Sequence, residues 1–441
     1  MCKENWRIIM RKLGVILCLA AVLSLTACGA KDENQETPEP TVNAEQNAGA
    51  AETVAPTEAP KRTTVPARTE YLTEEDMKTA SPWQVCDTAA LAAVMRKAEA
   101  GEPVTIATIG GSITQGTISS GAKDSQVKQK SCYADIFFSW WKETFPQSEI
   151  TVVNAGIGAT DSYLGVHRLQ EDVLDYNPDV VLVEYSVNDG GNNTFKITYD
   201  NLVYKMATME NAPAVMLLFM GQTNLSSAQN VHQLVGFQYG FPMVSYLNLL
   251  SGWFDSGRYT EKDLSGDVTH PSALGHAVVG EILWKYLNQV YTELDSYGEP
   301  VKFDKNIFTK AKYLDAELAG VGDITPENMG SFTENGKDFN GWGDVWKTTD
   351  GDGNLVFKIK CRNLGILFWR STGTSYGNYE VLVDGVSVAT LQGEFPGGWG
   401  NYAQSQEVFT SDEEAEHTVI IKKAANSKGD DFAVLRLMIS H

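Results

Sequence analysis

Ser112 lies in Val104-Thr105-Ile106-Ala107-Thr108-Ile109-Gly110-Gly111-Ser112-Ile113-Thr114, an apolar, β-branched run that ends in two glycines, a serine and a threonine. A serine hydroxyl attacks a carbonyl only when a neighbouring base removes its proton, usually a histidine oriented by a carboxylate. The chain holds six histidines, so the search for that base is short. His441 is terminal, His417 stands at a strand start, His232 sits in a connecting helix with no acidic partner at helical spacing, and His167 falls in a surface-type helix. His276 follows Gly275 inside a helix and is read as a packing residue. His270 is different. In Asp263-Leu264-Ser265-Gly266-Asp267-Val268-Thr269-His270-Pro271 it has Asp267 three residues ahead, so one turn brings that carboxylate to Nδ1 and leaves Nε2 for the serine. Pro271 at a helix start fixes the backbone behind it.

The tetrahedral intermediate of acyl transfer also needs donors for its oxyanion. Asn154-Ala155-Gly156-Ile157-Gly158 offers the Gly156 N–H, which no Cβ obstructs. Glu184-Tyr185-Ser186-Val187-Asn188-Asp189 offers the Asn188 side-chain amide. Taken singly, each is a glycine- or asparagine-containing turn. What unites them is position. Strands are expected at 104–110, 150–154, 180–185, 215–220 and 243–249, alternating with helices at 88–100, 133–145, 162–174, 199–209, 227–235 and 272–294. Short apolar strands alternating with helices indicate a parallel sheet covered on both faces, and right-handed crossovers make it a doubly wound, flavodoxin-like three-layer α/β sandwich. Ligands bind at the carboxyl edge of such a sheet, where all of these residues fall.

Ser112 in Gly-Gly-Ser-Ile-Thr, Gly156 in Asn-Ala-Gly-Ile-Gly, Asn188 in Ser-Val-Asn-Asp and His270 in Asp-Val-Thr-His-Pro resemble, in order, the four blocks of the SGNH (GDSL-like) hydrolases. The resemblance covers residues 82–294. It implies Ser112 as nucleophile, His270 as base, Asp267 as orienting acid, and Gly156, Asn188 and the Ser112 N–H as oxyanion hole, with no metal or organic cofactor. Gly111 stands where the family motif has Asp, and Ser186 where the third block often has Gly.

The remainder of the chain sets the context. With 441 residues, 43% hydrophobic and 21% charged, two or more globular domains are expected. A net charge of −21 with no basic face argues against nucleic acid. Lys3, Arg7, Arg11 and Lys12 precede the apolar run 13–25 and Leu25-Thr26-Ala27-Cys28, which resembles a bacterial lipobox. Residues 1–27 are read as a lipoprotein signal peptide and Cys28 as the lipidated residue, placing the mature protein on the outer face of a membrane through acyl chains alone. An acidic Thr/Pro/Glu-rich stalk, too poor in apolar residues to order, is expected over 28–75, with order resuming near Tyr71. Three cysteines remain, Cys86, Cys132 and Cys361, read as isolated thiols with a Cys86–Cys132 bridge as the alternative.

The hydrolase domain is assigned to 76–298. From 299 to 441 short alternating segments separated by turn signals predict an all-β, jelly-roll-like sandwich, with Asp384-Gly385 as a hairpin turn. Asp350-Gly351-Asp352-Gly353-Asn354 lacks the glycine and glutamate of a calcium loop and is read as another hairpin turn. Trp342, Trp346, Trp369, Trp399, Tyr376 and Tyr402 are candidates for stacking on sugar. A tethered hydrolase of this layout is similar to carbohydrate esterases that deacetylate polysaccharides. A lysophospholipase or short-chain thioesterase is the alternative, and a glycan-binding lipoprotein with a non-catalytic hydrolase domain is a third reading.

Overall fold

A computed structural model of the chain describes residues 62–83, 86–119 and 131–441. The signal segment, Cys28 and the stalk as far as residue 61 lie outside the described residues. Among those described, no helix is long and apolar enough to cross a membrane.

Five parallel strands form the first sheet: β1 (Val104–Gly110), β2 (Ile150–Gly156), β3 (Val180–Glu184), β4 (Ala214–Phe219) and β5 (Met243–Ser245), in the order β2-β1-β3-β4-β5. This is the flavodoxin-type order, whose chain reversal beside β1 opens a crevice at the carboxyl edge. β3 and β4 are buried at every position, as strands covered on both faces must be. On one face lie α1 (Glu74–Ala80), α2 (Ala89–Glu99), α3 (Ser112–Gln115), α4 (Tyr133–Thr144) and the helix that closes the domain. On the other lie α5 (Ser162–Asp172), α6 (Asn193–Ala207) and α7 (Gln229–Tyr239). The expected fifth strand is shorter than its apolar run. After Ser245 the chain turns into α8 (Leu247–Ser256), then α9 (Glu261–Leu264) and the closing helix α10 (Ala273–Thr292). Gly280 lets α10 approach α4, for a Cβ there would lie 2.5 Å from Ile136.

Residues 62–75, expected within the stalk, are packed on the hydrolase domain. Arg62 pairs with Glu99 and Asp295, the Val65 carbonyl accepts from Trp284 Nε1 and Asn288 Nδ2, and Glu281, itself buried, accepts from the amides of Tyr71 and Leu72. Residues 62–73 are therefore a strap on α10, and 74–75 begin α1. A few polar anchors on a buried helix hold a segment that has little apolar surface of its own.

The second sheet is antiparallel and eight-stranded, in the order β11-β10-β12-β9-β13-β8-β7, with β6 (Glu317–Ala319) also paired to β13. Its members are β7 (Thr333–Glu334), β8 (Trp346–Thr348), β9 (Leu355–Arg370), β10 (Asn378–Val383), β11 (Val386–Gln392), β12 (Tyr402–Lys423) and β13 (Phe432–Ser440). The Asp384-Gly385 hairpin forms as expected, with φ of 50° and 79° at its two corners. The Asp350–Asn354 segment is not a hairpin turn: β8 pairs with β7 and β13, β9 with β12 and β13, so the loop joins strands that are not neighbours. β9 runs unbroken through Leu355–Arg370, with irregular register against β12.

One core lies within the β region. A second is shared between the domains, where Leu367, Ala403, Ala433, Leu435 and Met438 pack with Tyr163, Leu164 and Leu169 of α5. Cys86, Cys132 and Cys361 are all free thiols, so the Cys86–Cys132 bridge does not form.

Candidate active site

Ser112 is the first residue of α3, directly after β1 and Gly111. The turn needs both glycines. A Cβ on Gly110 would lie 2.1 Å from Thr114 Oγ1, and one on Gly111 would lie 2.2 Å from Asn188 Oδ1. The Asn188 side-chain amide lies against position 111, so a side chain there would displace it in this chain. Ser186, the other departure from the family motif, bridges β3 to β4, accepting from the Met220 amide at 2.7 Å and donating to its carbonyl at 3.0 Å.

His270 and Asp267 sit in the loop ahead of α10. Asp267 Oδ1 accepts from the amides of Thr269 and His270, both at 2.7 Å, and its Oδ2 lies 3.0 Å from His270 Nδ1. Burial pushes the Asp267 carboxyl up, but the backbone and side-chain hydrogen bonds from His270 and the Thr269 amide outweigh it, and the pKa falls below the usual carboxylate value. With Nδ1–H committed to the carboxylate, His270 Nε2 presents a lone pair to Ser112 Oγ at 2.9 Å. Ser265, Ser119 and Gln222 brace this loop. The Ser265 hydroxyl is shared between the carbonyls of Asp267 and His270, the Ser119 amide donates to Pro271, its hydroxyl accepts from the Gly266 amide, and Gln222 Nε2 donates to Thr269. Ser112 is 8% exposed and the Asp267 side chain 50%, so the serine lies in a recess and the acid at its rim.

The structure thus brings Ser112, His270 and Asp267 into one line and sets Asn188 against the turn that carries Ser112. The Ser112 amide begins a helix and has no intrahelical acceptor, as the first amides of any helix lack one. Gly156 differs from expectation: its N–H donates to Asn154 Oδ1 at 3.0 Å and is already committed. Its missing Cβ serves packing instead, since a side chain there would run into the Gln115 amide at 2.2 Å. In the same loop, a Cβ on Gly158 would sit 3.8 Å from that of Ser112, and the Gly158 amide donates to Gln115 Oε1. The next residue, Ala159, holds φ of 61° and its N–H has no acceptor among the described residues. A left-handed alanine costs energy that a neighbouring function can justify. Sequence reasoning passed over Ala159 because it searched this loop for glycine.

Two other histidines correct the sequence reading. His232 does have an acidic partner, from another element: its Nε2 lies 2.9 Å from Asp189 Oδ2, both side chains fully buried, with the Tyr199 ring stacked on it at 3.7 Å. His167 is buried rather than on the surface, and burial pushes its pKa down to about 4. His276 packs as expected, accepting from the Tyr133 amide and bonding the Thr117 carbonyl.

The β domain reaches this edge of the sheet. Asp161 caps α5 through the Leu164 amide and receives the Ser405 hydroxyl from β12 at 3.4 Å; burial and the neighbouring Asp189 push its pKa up to about 6. Three residues before Ser405 on the same strand, Tyr402 stacks on Trp399 at 4.7 Å, and Trp399 is 71% exposed. Of the other tryptophans named from sequence, Trp346 is fully buried and Trp342 and Trp369 pack against the shared core.

Residues 108–278 match the GDSL-like Lipase/Acylhydrolase family. Two solved structures of a two-domain esterase active on acetylated mannans are similar over nearly their whole length. The form co-crystallised with mannopentaose is 29% identical, with a TM-score of 0.72, over 82% of this chain and 97% of the other. The second is 28% identical, with a TM-score of 0.74, over 82% and 98%. No curated protein matches the sequence. The chain is a hydrolase that carries, in residues 108–278, a GDSL-like domain of the SGNH type joined to an antiparallel β domain.

Proposed function

We propose that this protein is an exported serine esterase that removes acetyl groups from a carbohydrate polymer. The observation that carries the reading is the unbroken contact from Ser112 Oγ through His270 to Asp267, at 2.9 and 3.0 Å. Ser112 Oγ attacks the ester carbonyl carbon while His270 Nε2 takes its proton, and Asp267 steadies the imidazolium. The oxyanion is received by the Ser112 amide, the Asn188 side-chain amide and the Ala159 amide, donors of a kind worth roughly 3 kcal/mol each. Collapse breaks the ester bond. The sugar hydroxyl leaves with the proton from His270, and the acetyl group stays on Ser112. Water, deprotonated by the same imidazole, then releases acetate.

The carbohydrate is supported by two independent features. The similar two-domain esterase acts on acetylated mannans. The open face of Trp399, backed by Tyr402, suits a pyranose ring. The basic segment, apolar run and Cys28 support export with a lipid on Cys28.

A fluorophosphonate probe should label Ser112 in the folded protein and fail on His270→Ala. Equal labelling of both defeats the triad. Acetate release should be fastest on acetylated mannan, compared with acetylated xylan, acetylated peptidoglycan and fatty-acid release from lysolipid. Preference for lysolipid would turn the reading to a lysophospholipase. Metabolic labelling with a fatty acid should be lost in Cys28→Ala.

A further inference from the structure

Arg168 projects from α5 into the interior and is 1% exposed, a place where guanidinium groups are rare. Its Nη1 donates to the Ala155 carbonyl at 2.8 Å and to Asp172 Oδ2 at 2.7 Å. Its Nη2 donates to the Gly110 carbonyl at 3.1 Å and to the Tyr185 hydroxyl at 2.8 Å. Apart from Asp172, one turn further along α5, these acceptors lie at the ends of three adjacent strands. Gly110 ends β1 two residues before Ser112, Ala155 lies at the end of β2 ahead of the 156–159 loop, and Tyr185 follows β3 three residues before Asn188. Space is made for the arrangement: a Cβ on Gly165, one turn earlier on α5, would lie 2.6 Å from the Tyr185 hydroxyl.

Burying a cation is expensive, and a hydrophobic side chain of similar volume often stabilises a core more. A planar fork of fixed geometry offers something a hydrophobe does not: it sets distances between acceptors on separate strands.

We propose that Arg168 is the positioning residue of the oxyanion hole, holding the ends of β1, β2 and β3 at the spacing that lets the Ser112 amide, the Ala159 amide and Asn188 converge on one oxygen. The assignment rests on the serine-esterase reading above. Its consequence is selective. A loosened hole still admits the trigonal ester but holds the tetrahedral oxyanion less well, so kcat suffers and KM does not.

The test uses the purified full chain and two variants. Arg168→Lys keeps the charge but cannot span all three strand ends. Tyr185→Phe removes only the arm to β3. With folding verified by circular dichroism and thermal melting, Arg168→Lys should lower kcat on p-nitrophenyl acetate about 100-fold with KM nearly unchanged. It should also weaken a boronic acid, which forms a tetrahedral adduct on Ser112, by a similar factor. Tyr185→Phe should move both readouts the same way by roughly 5-fold. Wild-type kcat in folded variants overturns the proposal, as does a loss confined to KM with boronic-acid affinity intact. If Arg168→Lys does not fold, Tyr185→Phe decides on the same readouts. A wild-type chain that fluorophosphonate does not label overturns the esterase reading and this assignment together. A labelled wild type with an unaffected Arg168→Lys overturns this assignment alone.

Discussion

Two histidine–aspartate pairs lie near one another in this sheet edge, with similar contacts and opposite surroundings. His270 and Asp267 meet at 3.0 Å in a loop, the acid half exposed, with a serine hydroxyl on the remaining nitrogen. His232 and Asp189 meet at 2.9 Å with both side chains fully buried, and the other nitrogen, Nδ1, faces no partner. Tyr199 covers the second ring face to face. Asp189 Oδ1 also accepts from the Ser162 amide, so this pair joins the loop after β3 to α5 and α7. The chemistry of the pairs is the same. What separates a working base from a brace is access to a nucleophile and to substrate, which residue type alone does not convey.

The contrast can be broken first at its strongest point. Ser112→Ala or His270→Ala should lower kcat by about 10⁴-fold or more while melting stays near wild type, measured by acetate release and calorimetry. His232→Ala should invert that pattern. It leaves Asp189 buried without its imidazole and should cost roughly 3–5 kcal/mol in chemical denaturation, with the folded fraction keeping most of its kcat. Comparable loss of kcat from both histidines would erase the distinction drawn here. Next, Asp267→Asn should lower kcat by about 10⁴-fold through the wrong imidazole tautomer, with little change in stability because the acid is half exposed.

A further buried acid sharpens the comparison. Glu184 at the end of β3 accepts from Thr114 Oγ1 at 3.0 Å beneath the nucleophile turn, and burial pushes its pKa from 4.5 up to about 7. The folded chain then holds a proton that the unfolded chain has released, and the stability tied to it is present below about pH 4.5 and lost as pH rises through about 7. Glu184→Gln, which cannot ionise, should remove that loss, worth up to roughly 3 kcal/mol between pH 5 and 8 in denaturant titrations. Parallel pH profiles for wild type and variant would refute it.

The Ser112–His270–Asp267 line is legible in the sequence because its parts are local. Asp267 and His270 share one turn, Ser112 ends an apolar strand, and β-α alternation assigns both to one edge. The rest depended on contacts between distant residues. His232 shows no acid at helical spacing because Asp189 reaches it from another element, and Arg168 reads as an ordinary helix arginine until three strand ends surround it. The α8 helix was hidden because its apolar run continues that of β5, and periodicity does not divide the two. The first half of β12 is hard to read as strand because it is largely polar and the pairing with β9 carries two register shifts. The 62–73 strap was missed because its order comes from acceptors and donors on α10 and α2.

The core that Leu367, Ala433, Leu435 and Met438 share with α5 bears on modularity. Gly365 marks how closely the two parts fit, for a Cβ there would lie 2.2 Å from the Tyr163 hydroxyl. A boundary near residue 298 divides two sheets, yet cutting the chain there would strip α5 of the apolar surface that covers it. The same helix carries Arg168 and begins at Asp161. Exchanging the β region for that of another protein would therefore be felt at the sheet edge that holds Ser112, and evolution of the two parts is expected to be coupled rather than a matter of free recombination.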